Sequence, residues 1–224
     1  MKLTQKIKAK LRDLPIHRLG LLRPAPQSAS KSRYDHLLDL FSKHNPTSMI
    51  EIGVWRGDRT IRFLAEGKAL RRYIGFDLFE EMTSDKFIQE SMGTCIPQSK
   101  KDVMQLIEPF AKQRGCQVEL IAGLTEETLP KFIKDNAAKF DFVYIDGGHS
   151  IETVASDWKY AKELVTKHGI VIFDDYYLND DKRGVKSLID ELLKNPNYRV
   201  RFFPMIEDII EDIQITMVAV WQQN

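Results

Sequence analysis

Two apolar runs of strand type, each closing on acidic residues, constrain this chain more than any other feature. The first spans residues 140–145 and leads into Asp146-Gly-Gly-His149; the second spans 169–173 and leads into Asp174-Asp175. In an open parallel sheet, ligands bind beyond the carboxyl ends of the strands. If these two strands are neighbours, three carboxylates meet at one rim. Carboxylates that converge repel unless a cation joins them, and oxygen ligands suit a hard divalent ion such as Mg2+. His149 follows Asp146 by three positions and stands where a base would serve.

The rest of the chain alternates in the same manner from Ser48 onward. Strand patterns occupy 48–52, 72–76 and 117–122, and helical patterns occupy 58–66, 101–114, 125–136 and 185–193. Ser150 is an N-cap candidate for a helix whose apolar face runs through Ile151, Val154, Trp158, Ala161 and Val165, with Gly169 expected to close it. The last two strands, at 198–203 and 213–221, lack a helix-length crossover and read as an antiparallel pair. The pattern predicts an α/β fold: a Rossmann-like, doubly wound mixed sheet with helices on both faces. Residues 80–99 are polar, contain Gly93 and Pro97, and read as a flap that helps shape an acceptor pocket.

A length of 224 residues, 43% hydrophobic, fits one large domain with a small appendage. The formal net charge of +1 gives no reason to expect nucleic acid, and no apolar run approaches the roughly 20 residues of a membrane span. Two cysteines, Cys95 and Cys116, without a signal-peptide core fit a reducing compartment, so the cytoplasm is the expected location. Residues 1–32 form a separate basic segment and linker ahead of a domain at 33–224. Leu3, Ile7, Leu11 and Leu14 recur there at helical spacing, which suits either a membrane-surface anchor or a helix packed on the domain.

The cofactor end is written in Glu51-Ile-Gly53-Val-Trp-Arg-Gly57, a strand end passing through a glycine turn into a helix. Gly53 supplies a backbone conformation closed to other residues, and Gly57 permits close approach of a ligand. The spacing differs from the Gly-x-Gly-x-x-Gly of dinucleotide binders, which disfavours a nicotinamide-dependent oxidoreductase. Glu51 favours a cationic or amino-bearing ligand, or else serves as a structural carboxylate. Asp77, at the end of the second strand, is placed to accept hydrogen bonds from both hydroxyls of a ribose. Gly123 and Leu124, after the third strand, stand where an adenine ring would be edged by backbone.

In this order, Glu51-x-Gly-x-x-x-Gly57, Asp77, Asp-Gly-Gly-His149 and Phe-Asp-Asp175 resemble the class I S-adenosylmethionine (SAM)-dependent methyltransferases. They are most similar to the metal-dependent O-methyltransferases that act on sugar hydroxyls of macrolide antibiotics. The resemblance covers about residues 48–193. It implies a seven-stranded sheet ending in an antiparallel hairpin. It also implies SAM held by Glu51, Gly53, Gly57 and Asp77, and Mg2+ bound by Asp146, Asp174 and Asp175. Where the catechol-type relatives carry a lysine base, this chain has His149, as in the sugar-methylating branch.

The expected reaction is methyl transfer to a hydroxyl of a small-molecule acceptor, a glycoside among the candidates. Mg2+ would lower the hydroxyl pKa and orient it, and His149 would take the proton as general base. Tyr176 and Tyr177 line the acceptor pocket in one reading and pack at the rim in another. Metal-linked hydroxylation on the same fold and a non-catalytic SAM-binding domain are the other readings. Three gathered acids argue against the last.

Overall fold

The structure, a computed structural model, describes residues 31–81, 98–180, 184–210 and 213–223. The expected basic helix and most of the linker ahead of Lys31, the greater part of the expected flap, and Cys95 lie outside the described residues.

The first described helix, α1 (Arg33–His44), was not expected, yet its signals are local. Ser32 and Asp35 form a capping box in which each side chain meets the other's backbone N–H, and Asn45 closes the helix in a left-handed conformation. Leu37 and Phe41, one turn apart, are fully buried. The remaining elements follow the expected alternation. They are β1 (Ser48–Ile52), α2 (Asp58–Glu66), β2 (Arg72–Asp77), α3 (Lys100–Arg114), β3 (Gln117–Ala122), α4 (Thr125–Asp135), β4 (Phe140–Ile145) and α5 (Ile151–Leu164). Next come β5 (Val165–Tyr177), α6 (Gly184–Leu192), β6 (Tyr198–Phe202), β7 (Glu207–Ile210) and β8 (Ile213–Gln222).

The sheet runs in the order β3-β2-β1-β4-β5-β8-β6, with β7 also paired to β8. The first five strands are parallel, and β8 is antiparallel to β5, β6 and β7. Seven strands form the expected path, and the short β7 adds an eighth. The order reverses between β1 and β4, a topological switch point of the kind where open α/β sheets bind ligands.

Side chains alternate across the sheet and build two cores. Phe142 and Tyr144 of β4 join Phe41 of α1, Phe63 of α2 and Ile107 of α3 on one face. Val143 and Ile145 join Phe132 of α4, Trp158 of α5 and Ile189 of α6 on the other. Phe142 meets Phe41 edge-on at 5.1 Å and Phe63 at 6.1 Å between ring centroids. Its truncation to Ala would cost about 3–5 kcal/mol. These layers hold the carboxyl ends of β1, β2, β4 and β5 at one rim.

One boundary departs from expectation. The helix expected to run to Gly169 ends at Leu164, and Val165 already pairs with Phe140 in β5. A register shift follows, and a Cβ at Gly169 would meet the Asp141 carbonyl oxygen at 2.9 Å. That glycine therefore belongs to a strand irregularity where another backbone passes close, not to a helix cap.

Candidate active site

At the carboxyl end of β1 the chain turns between the ends of β2 and β4. Gly53 has φ +90°, its N–H donates to the Phe76 carbonyl at 2.9 Å, and the Asp146 N–H donates to the Ile52 carbonyl at 2.7 Å. A Cβ at Gly53 would lie 1.9 Å from the Asp146 carbonyl oxygen, so no other residue fits. The turn of the glycine motif and the Asp-Gly-Gly-His segment thus touch through their backbones. Gly57, with φ +79°, caps α2, and a Cβ there would press on Ile107 and Val103 of α3 at 3.0 and 3.1 Å. What its missing side chain accommodates is a neighbouring helix.

Asp77 braces this turn. Its carboxylate accepts from the Trp55 N–H at 2.6 Å and from the Phe79 N–H at 3.0 Å. Trp55 is half exposed and, at φ +50°, adopts a conformation uncommon outside glycine. The Gly123 N–H donates to the Asp77 carbonyl at 3.0 Å, and Leu124 occupies the N-cap position of α4. Asp77 therefore ties the Trp55 turn to Gly123. Glu51, on β1, is fully buried. One carboxylate oxygen accepts from Thr60 at 2.8 Å and from the Tyr73 hydroxyl, while the other has no partner. Burial pushes this carboxyl up to about 7, against the opposing pull of the Tyr73 and Thr60 hydrogen bonds.

The three expected acids do converge. Asp146 leaves β4 and Asp174 lies on the neighbouring β5, both reached by the Tyr144 hydroxyl at 3.2 and 2.6 Å. Adjacent strand residues ordinarily point to opposite faces, which would separate Asp174 from Asp175. Here a register irregularity between Phe173 and Tyr176, with Asp175 at φ +54°, turns both carboxylates inward. Asp175 then meets His149 Nε2 at 3.1 Å. Asp146, His149 and Asp175 each offer a ligand atom within 4.8 Å of the others'. Asp174 is not in that group.

The charges of the cluster are balanced by two arginines that sequence reasoning missed. Arg33, at the start of α1, reaches Asp175 at 2.8 Å and Asp174 at 3.1 Å. Arg59 of α2 reaches Asp146 at 3.2 Å and Asp174 at 3.8 Å, with its guanidinium 3.8 Å from the centre of the Tyr34 ring. Glu207 of β7 accepts from the Arg33 backbone N–H at 2.9 Å and pairs with its Nε at 3.2 Å. Burial raises the Asp146 and Asp174 carboxyls, reinforced for each by the neighbouring acid. Burial also works to raise Asp175, but His149 and Arg33 outweigh it and hold it at about 2.

The base candidate is fixed from two sides. The His149 carbonyl accepts from the Gly184 N–H at 3.0 Å, and a Cβ at Gly184 would lie 2.4 Å from the Ser150 carbonyl oxygen. The N-terminus of α6 therefore sits directly on the His149-Ser150 backbone. The His149 ring lies edge-on to Tyr177, with centroids 6.0 Å apart. Tyr176 points the other way: its hydroxyl donates to Asp190 of α6 at 3.0 Å and its ring packs edge-on against Phe202. Of the two tyrosines expected at the acceptor pocket, the structure brings Tyr177 to the site and builds Tyr176 into the core.

Residues 50–176 match the family described as Methyltransferase domain. The chain belongs to the methyltransferase domain family. A search of curated proteins finds no match. Among solved structures, the chain is similar to an O-methyltransferase from Bacillus cereus in complex with SAH, at 15% identity and a TM-score of 0.64, covering 99% of this chain and 90% of that one. It is also similar to a TDP-rhamnose 3'-O-methyltransferase of calicheamicin biosynthesis, at 18% identity and a TM-score of 0.60, covering 97% and 94%. An O-methyltransferase from Streptomyces achromogenes involved in tomaymycin synthesis, in complex with SAM, matches at 12% identity and a TM-score of 0.62, covering 93% and 95%. At such identities the likeness is one of fold. Within this methyltransferase, Arg33 was not legible as a site residue because it precedes the matched segment and lies 142 positions from Asp175. The one available signal was the Ser32-x-x-Asp35 capping box, which predicts the helix that carries it. No helix among the described residues is long and apolar enough to cross a membrane.

Proposed function

We propose that this protein transfers the methyl group of SAM to a hydroxyl of a small-molecule acceptor, a sugar or other polyhydroxy compound, with a divalent cation such as Mg2+ at the acid cluster. The observation that carries this reading is the backbone contact between Gly53 and Asp146, which sets the glycine turn directly against the carboxylate and histidine cluster. A methyl donor bound at the first would meet an acceptor oxygen held at the second. Asp77, at the tip of β2, is the residue for the ribose hydroxyls. Glu51, with one buried oxygen unpartnered, supports an amino-bearing ligand above it. The sugar acceptor rests on the Asp-Gly-Gly-His element and on the likeness to the rhamnose methyltransferase.

The donor set fits a hard cation: carboxylate oxygens of Asp146 and Asp175 beside an imidazole, with ligand atoms within 4.8 Å. Mg2+, when bound, would lower the acceptor pKa and orient the hydroxyl. In the transfer itself, the acceptor oxygen forms a bond to the methyl carbon, the carbon–sulfur bond breaks, and the sulfonium becomes a neutral thioether. The hydroxyl proton passes to His149, whose Nε2 faces Asp175 and whose buried Nδ1 has no hydrogen-bond partner. The chain's remaining task is alignment of oxygen, carbon and sulfur.

Calorimetric titration with S-adenosylhomocysteine, on wild type and on Asp77→Ala, tests the donor site. Binding to wild type that weakens strongly in the variant supports the reading. No binding to wild type overturns it. A panel of nucleotide sugars and glycosides, read by mass spectrometry for one added methyl group, then tests the acceptor class.

A further inference from the structure

The three acids of the cluster do not have equivalent surroundings, and the difference assigns them different work. Asp174 is almost fully buried, and both of its oxygens are committed. One accepts from the Asp175 N–H at 2.8 Å and faces Arg33 at 3.1 Å; the other accepts from Tyr144 at 2.6 Å and faces Arg59 at 3.8 Å. A cation would have to displace a guanidinium or a buried hydrogen bond to reach it. Asp175 is engaged too, by Arg33 at 2.8 Å and His149 at 3.1 Å, but Asp146 and Asp175 are more open than Asp174, meet one arginine each rather than two, and bring ligand atoms together with His149 without it.

We propose that Asp174 is the anchor of a buried arginine pair, and that Arg33 and Arg59 hold the Asp146–His149–Asp175 site assembled before any cation arrives. The cation is then held by two carboxylates, Asp146 and Asp175. Mg2+ commonly binds through one or two carboxylates and keeps several waters. Three carboxylates set close together without counter-charge would spread apart or take up protons. Within the cluster, Arg33 and Arg59 each reach Asp174 and one further acid, so Asp174 is the point the two share. Arg33 also ties the cluster to β7 through Glu207, so the edge of the sheet helps position it. This assignment rests on the cation site proposed above. Arg33, Arg59 and Asp174 are positioning residues in it.

The test uses the full chain with Mn2+ as probe, its affinity read by electron paramagnetic resonance, together with thermal unfolding in EDTA. Asp146→Asn and Asp175→Asn should each weaken Mn2+ binding more than about 100-fold, beyond the roughly 10–100-fold that loss of a group merely supporting the ligands costs. Asp174→Asn should keep Mn2+ affinity within about tenfold. In EDTA it should lower the unfolding midpoint by on the order of 10 °C, since it leaves two guanidiniums poorly paired. Adding Arg33→Met to Asp174→Asn should cost less than the sum of the single losses, because the two side chains act through one contact. A folded Asp174→Asn protein that loses Mn2+ as completely as Asp146→Asn overturns the assignment. If wild type itself binds no Mn2+, the cation site proposed above fails. The double-variant comparison in EDTA then still decides the anchor: coupled losses uphold it and additive losses overturn it.

Discussion

Replacing Glu51 with Gln should change how the stability of this protein depends on pH, in a direction the structure dictates. The carboxyl is fully buried, so folding favours its neutral form, and its pKa rises from the ordinary 4.5 to about 7. Below pH 4.5 the group is protonated in both states and burial carries no ionic penalty. Between 4.5 and about 7 the unfolded chain has released the proton while the folded chain keeps it, so stability falls as pH rises. Above about 7 both states are ionised and the penalty is complete. At about 1.4 kcal/mol per pH unit, the gap amounts to about 3 kcal/mol. Gln has the same shape and accepts from Thr60 and Tyr73, but it never ionises. Its amide nitrogen, placed where the carboxylate oxygen has no partner, costs about 1–3 kcal/mol at every pH.

The decisive quantity is therefore the difference between wild type and Glu51→Gln, compared at two pH values by urea unfolding. The variant should gain about 3 kcal/mol relative to wild type on going from pH 4.5 to pH 8, whatever its constant offset. In thermal unfolding this corresponds to roughly 6–12 °C for a chain of this size. A difference that is the same at both pH values would refute the reasoning. It would mean that water or relaxation of the β1–α2 turn lets Glu51 ionise at its ordinary pH.

Gly53→Ala combines a left-handed backbone with a Cβ 1.9 Å from the Asp146 carbonyl oxygen, so thermal unfolding should show a loss of about 2–4 kcal/mol and calorimetry weaker S-adenosylhomocysteine binding. His149→Ala should lower turnover by about 10²–10⁴-fold while leaving S-adenosylhomocysteine affinity nearly unchanged; full turnover would remove His149 as the base. Gly184→Ala places a methyl 2.4 Å from the Ser150 carbonyl oxygen. The shift of α6 needed to relieve it should cost about 1–3 kcal/mol in unfolding assays and disturb the His149 turn, lowering turnover further than that loss alone explains. Tyr176→Phe, which removes the hydroxyl bonded to Asp190, should leave the KM for any acceptor unchanged, whereas Tyr177→Ala, beside His149, should raise it.

Much of the fold is local in origin and was therefore legible. Strand-type runs ending in Glu51, Asp77, Asp146 and Asp174 follow from short-range pattern, and so does the helix start at Ser150, whose side chain caps the Thr153 N–H. Where the pattern misled, the cause was competition between local and tertiary preference. The apolar face of α5 continues to Val165, but that residue is drawn into the sheet beside Phe140. Gly169, which reads as a helix cap, instead accommodates a backbone crossing at Asp141. Residues 205–211 gave no clear signal because β7 is only four residues long and exists by pairing with β8.

The sequence by itself determined that four strand ends would carry acids, that a glycine turn would precede a helix, and that His149 would follow Asp146 closely. These are facts of spacing along one segment, and backbone periodicity turns spacing into position. Only the tertiary structure decided what each acid faces. The register irregularity in β5 turns Asp175 toward His149 and Arg33 and leaves Asp174 between both arginines, although the two residues are chemically identical neighbours. Arg33 and Arg59 enter from two separate helices, and Glu51 is buried with one oxygen held by Thr60 and Tyr73. Burial and charge pairing arise between residues far apart in the chain, where no local propensity acts, so the electrostatics of the site belong to the packed fold.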